Sequence, residues 1–183
     1  MSPARDFRSV ALATTRLSLR SFTAADAAES FAASTPTLTR FMRRDPSPSP
    51  ASFAEVWREW LSQMAAGTDL ALVVRLVRTQ EFLGMAGLHH IGSPEPEIGI
   101  WIKETAHGAG YGREAVAAIV ARASRESGVT GFIYPVAVAN RPSRRLAESL
   151  GGTLVGTREL RKASGVVLEE VVYRIPPRHS GDP

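Results

Sequence analysis

Gly108, Gly110 and Gly112 alternate between a strand-like run, residues 97–103, and a stretch of helical spacing, residues 110–128. Glycine lets backbone amides approach an anion without a Cβ in the way, and the N-terminus of a following helix adds its partial positive charge. A diphosphate suits such a place, although three alternating glycines also suit a plain flexible turn. His107, Ala109, Tyr111 and Arg113 complete the loop, and Arg144 and Arg145 lie near a second candidate motif. Such arginines could meet phosphate oxygens or simply carry solvated surface charge. The two standard nucleotide motifs do not fit. There is no Gly-Lys-Ser/Thr ending, and no acidic residue follows at the dinucleotide-binding distance.

Proton-transfer candidates cluster beside this loop. Alternation over residues 97–103 puts Glu97, Gly99, Trp101 and Lys103 on one face and Ile98, Ile100 and Ile102 on the other. A carboxylate at Glu97 could accept a proton through water, or be an ordinary glutamate at a strand start. His89 and His90 end the preceding run. One of them should point into the cleft by alternation, and His90 is carried as the candidate; a structural histidine is the competing reading. Asn140 and Ser143 offer a polar pair that could equally cap the helix that follows them.

Bulk composition narrows the chemistry. With no cysteine among 183 residues, a protein thiolate and a disulfide framework are both excluded. The net charge of +4 is spread without a long basic run, which argues against nucleic acid as partner. No apolar run approaches the ~18 residues of a membrane span, and the start lacks a signal-peptide core, so a cytoplasmic protein is expected.

The elements that must position these residues follow from periodicity. Residues 16–22 predict a strand, with Thr23 and Asp26 starting a helix over 24–34. Residues 53–66 predict a helix with Phe53, Val56, Trp57, Trp60 and Met64 on its core face. Residues 70–77 and 82–91 predict an antiparallel hairpin, 97–103 a strand, and 110–128 a long helix capped by Gly128. Residues 130–138, 153–160 and 166–175 predict strands, and 142–150 a short helix. The strand–helix–strand unit around residues 97–138 should be a right-handed parallel crossover within a mixed sheet. A single domain over residues 10–176 is expected, with residues 1–9 and 177–183 as flexible termini.

Three motifs in order resemble the GNAT (Gcn5-related N-acetyltransferase) superfamily, in its ribosomal-protein N-terminal acetyltransferase-like (RimJ/RimL-type) branch. His107-Gly-Ala-Gly-Tyr-Gly112 is similar to its Gln/Arg-x-x-Gly-x-Gly/Ala signature. Residues 97–102 resemble its fourth strand, and residues 138–151 its Asn-x-x-Ser…Leu-Gly helix. The opening at residues 15–20 and the closing segment at residues 172–174 fit the same branch. The resemblance implies an α/β fold: a mixed, mostly antiparallel six- to seven-stranded sheet with helices on both faces and a splayed central strand pair. It implies an N-acetyltransferase moving an acetyl group from acetyl-CoA to a primary amine by direct attack, with CoA as product and no metal. The implied cofactor contacts are Ile100, Trp101, Ile102, His107, Gly108, Ala109, Gly110, Tyr111, Gly112, Arg113, Asn140, Ser143 and Arg144. The implied catalytic groups are Glu97, Ser143 and His90, with Ser143 protonating the leaving thiolate.

Three positions depart from the family pattern. His107 stands for Gln or Arg, Gly152 for a phenylalanine, which should cost some packing, and Ala147 for a tyrosine that serves many relatives as general acid. A non-catalytic CoA-binding domain of the same fold is the alternative reading. A homodimer is compatible with the resemblance; nothing in the sequence names the acceptor amine.

Overall fold

Leu17 and Leu19 alternate with Ser18 and Arg20, and both leucines are fully buried in the strand Leu17–Ser21. This is β2 of the computed structural model, which describes residues 6–178. One further strand, β1 (Ala11–Ala13), precedes it as a short antiparallel edge, so the sheet has eight strands where six or seven were expected. Three residues are too few to leave a periodic signal. Phe7, expected in a flexible terminus, is buried, and its amide donates to the Met64 carbonyl at 3.0 Å. Residues 1–5 and 179–183 of the expected flexible termini lie outside the described residues.

A short 3₁₀ turn leads into α1 (Ala27–Ala33), then come α2 (Pro36–Thr39) and α3 (Pro50–Ala66). Helix α3 starts three residues earlier than periodicity indicated, because Ser49 caps it and Pro50 presets the first helical dihedral. Strands β3 (Leu70–Leu76), β4 (Phe82–His89) and β5 (Glu97–Ile102) form an antiparallel meander. Helix α4 (Tyr111–Ala123), β6 (Phe132–Ala137), α5 (Arg141–Ser149), β7 (Thr153–Arg161) and β8 (Val167–Ile175) complete the chain. Gly128 is not the cap of α4. The helix stops at Ala123 with Ser124 as C-cap, and Gly128 adopts its left-handed φ of 88° in the turns beyond.

The sheet order is β1-β2-β3-β4-β5-β6-β8-β7, and only β5 and β6 are parallel. Helices α1 and α3 cover one face and α4 and α5 the other. Strand β4 is therefore buried on both sides, from Phe82 through Leu88. The aromatics at helical spacing are core: Phe22 meets Trp60 edge-on at 5.3 Å, and Phe53 meets the same ring at 5.7 Å.

Asp26 ties the first helix to the sheet. Its side chain is 2% exposed and accepts hydrogen bonds from Thr23 N–H (2.9 Å), Thr23 Oγ1 (2.8 Å), Arg20 and Arg75. Burial pushes its pKa up, but the bonds from Arg20, Thr23 and Arg75 together outweigh burial and hold it at about 2, against an ordinary 3.8. A depressed carboxylate stabilises the fold above its unfolded pKa and loses that stabilisation as pH falls through the folded value. The shift corresponds to about 2 kcal/mol. Urea titrations from pH 6 to pH 2 should show the wild type losing this amount below pH ~4 relative to Asp26→Asn. At pH 6 the variant should be weaker by about 3 kcal/mol, since two arginines lose their buried partner. Parallel stability curves for the two proteins would refute the assignment.

Candidate active site

Strands β5 and β6 meet at one register position, Glu97 opposite Ile133, where the Ile133 amide donates to the Pro96 carbonyl at 3.0 Å. The cause of their parting lies in the sequence of β6. Val138 N–H donates to Glu169, so alternate residues of β6 bond to β8, while Ile133, Pro135 and Ala137 aim their main chain toward β5. Proline at 135 has no N–H, so the next rung of the parallel ladder cannot form. The same parity argument sorts β5. Lys103 N–H donates to Leu83 of β4 at 2.7 Å. Glu97, Gly99 and Trp101 therefore spend their main-chain groups on β4, and Ile98, Ile100 and Ile102 aim theirs into the gap. Of the expected backbone contacts, Ile100 and Ile102 face the gap and Trp101 does not; Ile98, missed in the sequence, does.

The gap opens toward the glycine loop. Gly108 and Gly110 have left-handed φ values of 82° and 79°, and Gly110 is the N-cap of α4. Gly112 is glycine for another reason: a Cβ there would sit 3.2 Å from Leu146 Cδ1 and 3.7 Å from Ile102 Cγ1. Among the described residues, the amides of Gly108, Ala109, Gly110, Tyr111, Gly112 and Arg113 donate to no protein acceptor. The first helical bond is Glu114 N–H to the Gly110 carbonyl at 3.2 Å. Six uncommitted donors at a helix start make an anion cradle. His107 does not add its imidazole to it, since Nε2 donates to the Ile102 carbonyl at 2.6 Å. Arg16 braces the loop from outside. It donates to the Ala109 carbonyl at 2.9 Å, pairs with Glu114 at 2.6 Å and lies 4.8 Å above the Tyr111 ring.

On the α1–α3 side of β5, Glu97 sits at the point where the strands part. Its side chain is 17% exposed and pairs with Arg158 at 3.2 Å and Arg43 at 3.8 Å. His89 lies directly opposite Glu97 on β4, and its Nδ1 is 2.8 Å from Asp69 Oδ1. His90 is not brought to this group: it is exposed, beyond the end of β4, with a φ of 57°.

On the α4–α5 side, the Tyr134 and Ser143 hydroxyls are 2.8 Å apart. Tyr134 is fully buried, and burial pushes its pKa up to about 12 despite the bond from Ser143. Asn140 caps α5, its side chain accepting from Ser143 N–H at 3.3 Å. Arg144 donates to the Tyr173 hydroxyl at 3.2 Å, Arg113 to the Ser149 hydroxyl at 3.1 Å, and Arg145 is exposed. Gly152 costs no packing. A Cβ there would lie 2.7 Å from the Ala147 carbonyl oxygen, so the closure of α5 onto Ile175 leaves no room for a side chain.

A protein-family comparison matches residues 16–153 to "Acetyltransferase (GNAT) domain". The chain belongs to the GNAT acetyltransferase family. Its function is accordingly acetyl transfer from acetyl-CoA to an amine. Among solved structures, it is similar to RimL, a ribosomal L7/L12 alpha-N-protein acetyltransferase, with TM-score 0.79 and 16% identity over 91% of this chain and 94% of that one. It is also similar to RimJ of Mycobacterium smegmatis in complex with CoA-disulfide, with TM-score 0.73 and 17% identity over 87% and 81% of the two chains. A GCN5-related N-acetyltransferase from Brucella melitensis matches at TM-score 0.76 and 19% identity, over 94% and 80%. No curated protein matches significantly by sequence. Among the described residues, no helix is long and apolar enough to cross a membrane.

The brace at Arg16 is the part of this GNAT domain open to a simple check. Arg16→Ala should release the Ala109 carbonyl and Glu114, loosening the loop without touching its donors. Calorimetric titration should show CoA affinity falling about tenfold, or about 1.4 kcal/mol, with the far-UV circular dichroism unchanged. An unchanged Kd would show that the loop needs no brace.

Proposed function

We propose that this GNAT domain acetylates a primary amine, on a protein N-terminus or a small molecule, by direct attack within a ternary complex in the cytoplasm. The single observation that carries the reading is the joining of two sets of uncommitted backbone donors: the six amides at the start of α4 and those of Ile100 and Ile102 on β5 beyond the one pairing with β6. The first set fits a diphosphate, and the second fits an extended amide-bearing arm lying between β5 and β6 as a strand would. Acetyl-CoA combines both parts and supplies the activated acetyl group when bound.

Gly108 to Arg113 hold the pyrophosphate in this reading, with the backbones of Ile98, Ile100 and Ile102 aligning the arm. Arg113 and Arg144 stand by for the remaining phosphate charge. Donors already fixed along β5 favour the negative charge that develops on the carbonyl oxygen, since they need no reorganisation during reaction. Glu97 and its neighbour His89, on the acceptor side, provide the proton acceptor. Ser143, bonded to Tyr134, is the hydroxyl that returns a proton to the thiolate and takes over from the tyrosine that Ala147 replaces. Asn140 positions Ser143 by capping α5.

The test uses the purified chain with acetyl-CoA and a panel of peptides and small amines, reading release of free CoA. Turnover with at least one amine is expected. Acetyl-CoA should also raise the melting temperature in a concentration-dependent way. Gly110→Val, with a branched side chain at φ 79°, should abolish that shift at ligand concentrations saturating for the wild type. Ser143→Ala should lower kcat about a hundredfold while leaving the shift intact. Binding without turnover for every amine would favour the CoA-binding, non-catalytic alternative. Indifference of the wild type to CoA would end the reading.

A further inference from the structure

Three polar side chains form a row across the sheet on the α1–α3 side. Asp69 immediately precedes β3, His89 ends β4 and Glu97 begins β5. The registers Leu70–Leu88 and His89–Glu97 set them side by side on one face. The next row on the same face is Ala71, Gly87 and Gly99, and the row after that is Val73, Met85 and Trp101. Between a polar row and a bulky row, the sheet floor is thus stripped of side chains larger than a methyl group.

The His89 ring occupies that trough. A Cβ built on Gly87 would lie 3.2 Å from His89 Nε2, and one on Gly99 would lie 3.3 Å from it. Either methyl would be tighter than ordinary van der Waals contact, so both glycines clear the floor for the ring. The ring is oriented at its other nitrogen. The Asp69 carboxylate can only accept, so Nδ1 carries the hydrogen, and the tautomer this selects has its lone pair at Nε2. Nε2 therefore lies over Gly99, the residue flanked by Ile98 and Ile100, whose main chains face the gap. Glu97, the neighbouring acid, already has its two oxygens on Arg158 and Arg43. The His89 side chain remains 40% exposed, open to an incoming acceptor.

We infer that His89, positioned by Asp69, is the general base that takes the proton from the attacking amine. The inference rests on the acetyl-transfer reading above and goes further by naming the group. The neutral amine's own lone pair forms the N–C bond to the acetyl carbon, and Nε2 accepts the one proton that this nitrogen then loses. The C–S bond breaks, the electron pair leaves on sulfur as thiolate, and the thiolate is reprotonated from the Ser143 side. The imidazolium, stabilised by Asp69, returns its proton to solvent. Asp69 is a positioning residue, and Gly87 and Gly99 keep the ring's place free.

The test compares the wild type, His89→Ala, Asp69→Asn and Gly99→Ala at saturating acetyl-CoA with an amine the wild type acetylates. His89→Ala should lower kcat about a hundredfold. Its acetyl-CoA-induced melting shift should match that of the wild type. Added imidazole should restore activity to His89→Ala alone, because the glycine floor leaves a slot of the ring's own shape. Asp69→Asn and Gly99→Ala should each lower kcat severalfold with unchanged KM for acetyl-CoA. A His89→Ala variant with wild-type kcat, or an inactive one that imidazole does not rescue while its melting shift is retained, overturns the inference and leaves the acetyl-transfer reading standing. A wild type that binds acetyl-CoA and acetylates nothing overturns both.

Discussion

Pro135 is a missing hydrogen-bond donor in the middle of a sheet, and the rest of the site depends on that absence. The other neighbouring strands of the sheet pair over three or more register positions. Between β5 and β6 the ladder stops after Glu97 and Ile133, because the next amide that could continue it does not exist. Backbone groups of Ile98, Ile100 and Ile102 are left facing a gap. A few residues on, a second set of donors goes unpaired at the start of α4, as helix geometry requires. Two local rules of hydrogen bonding thus meet at one mouth, and their sum is the binding site proposed above for a chain that brings acceptors of its own.

Keeping such a gap open requires a frame that does not collapse into it. The β2–β5 meander on one side and the β6–β8 ribbon on the other are each laddered along their length, with one register shift in each, at Val74/Arg75 and Leu154/Gly156. Helix α4 bridges them by burying Ala115, Val116, Ile119 and Val120. Polar ties then fix the pieces that ladders do not reach. Asp26 gathers Arg20 and Arg75 under the first helix, Arg16 and Glu114 clamp the loop, and Arg158 joins Glu170 to Glu97 across the parting strands. The Arg16 and Arg158 ties are partly exposed, so their part is geometric more than energetic. The two faces of the sheet are unlike where they meet the gap. One carries Asp69, His89 and Glu97, the other the Tyr134–Ser143 pair, which in the proposed reaction separates the place where a proton leaves from the place where one returns.

Most of the architecture could be read from the sequence, because period-two and period-3.6 patterns report directly on burial. The hairpin of β3 and β4, the alternation of β5, the aromatic face of α3 and the glycine loop before α4 are all local in origin. What escaped detection was short or long-range. Strand β1 is three residues long, and α4 ends at Ala123, not Gly128, because the five residues that follow form turns. Gly152 looks like a lost aromatic until the Ala147 carbonyl is found where a Cβ would go. Proline within the residue 130–138 run was the one available signal for the parting of the strands.

Residue types and local spacing by themselves determined which groups exist: a glycine loop able to bare its amides, a carboxylate and two histidines near a strand junction, and no thiol. Which of them meet was decided only by tertiary structure, because strand register is a long-range property. Register turned the Trp101 backbone away from the gap, left His90 outside, and set Asp69, twenty residues from His89 in the chain, against its Nδ1. It also fixed Glu97 between two arginines from distant segments. A side chain's chemistry is written in its own letter, but its partners are written in the pairing of strands that no local window contains.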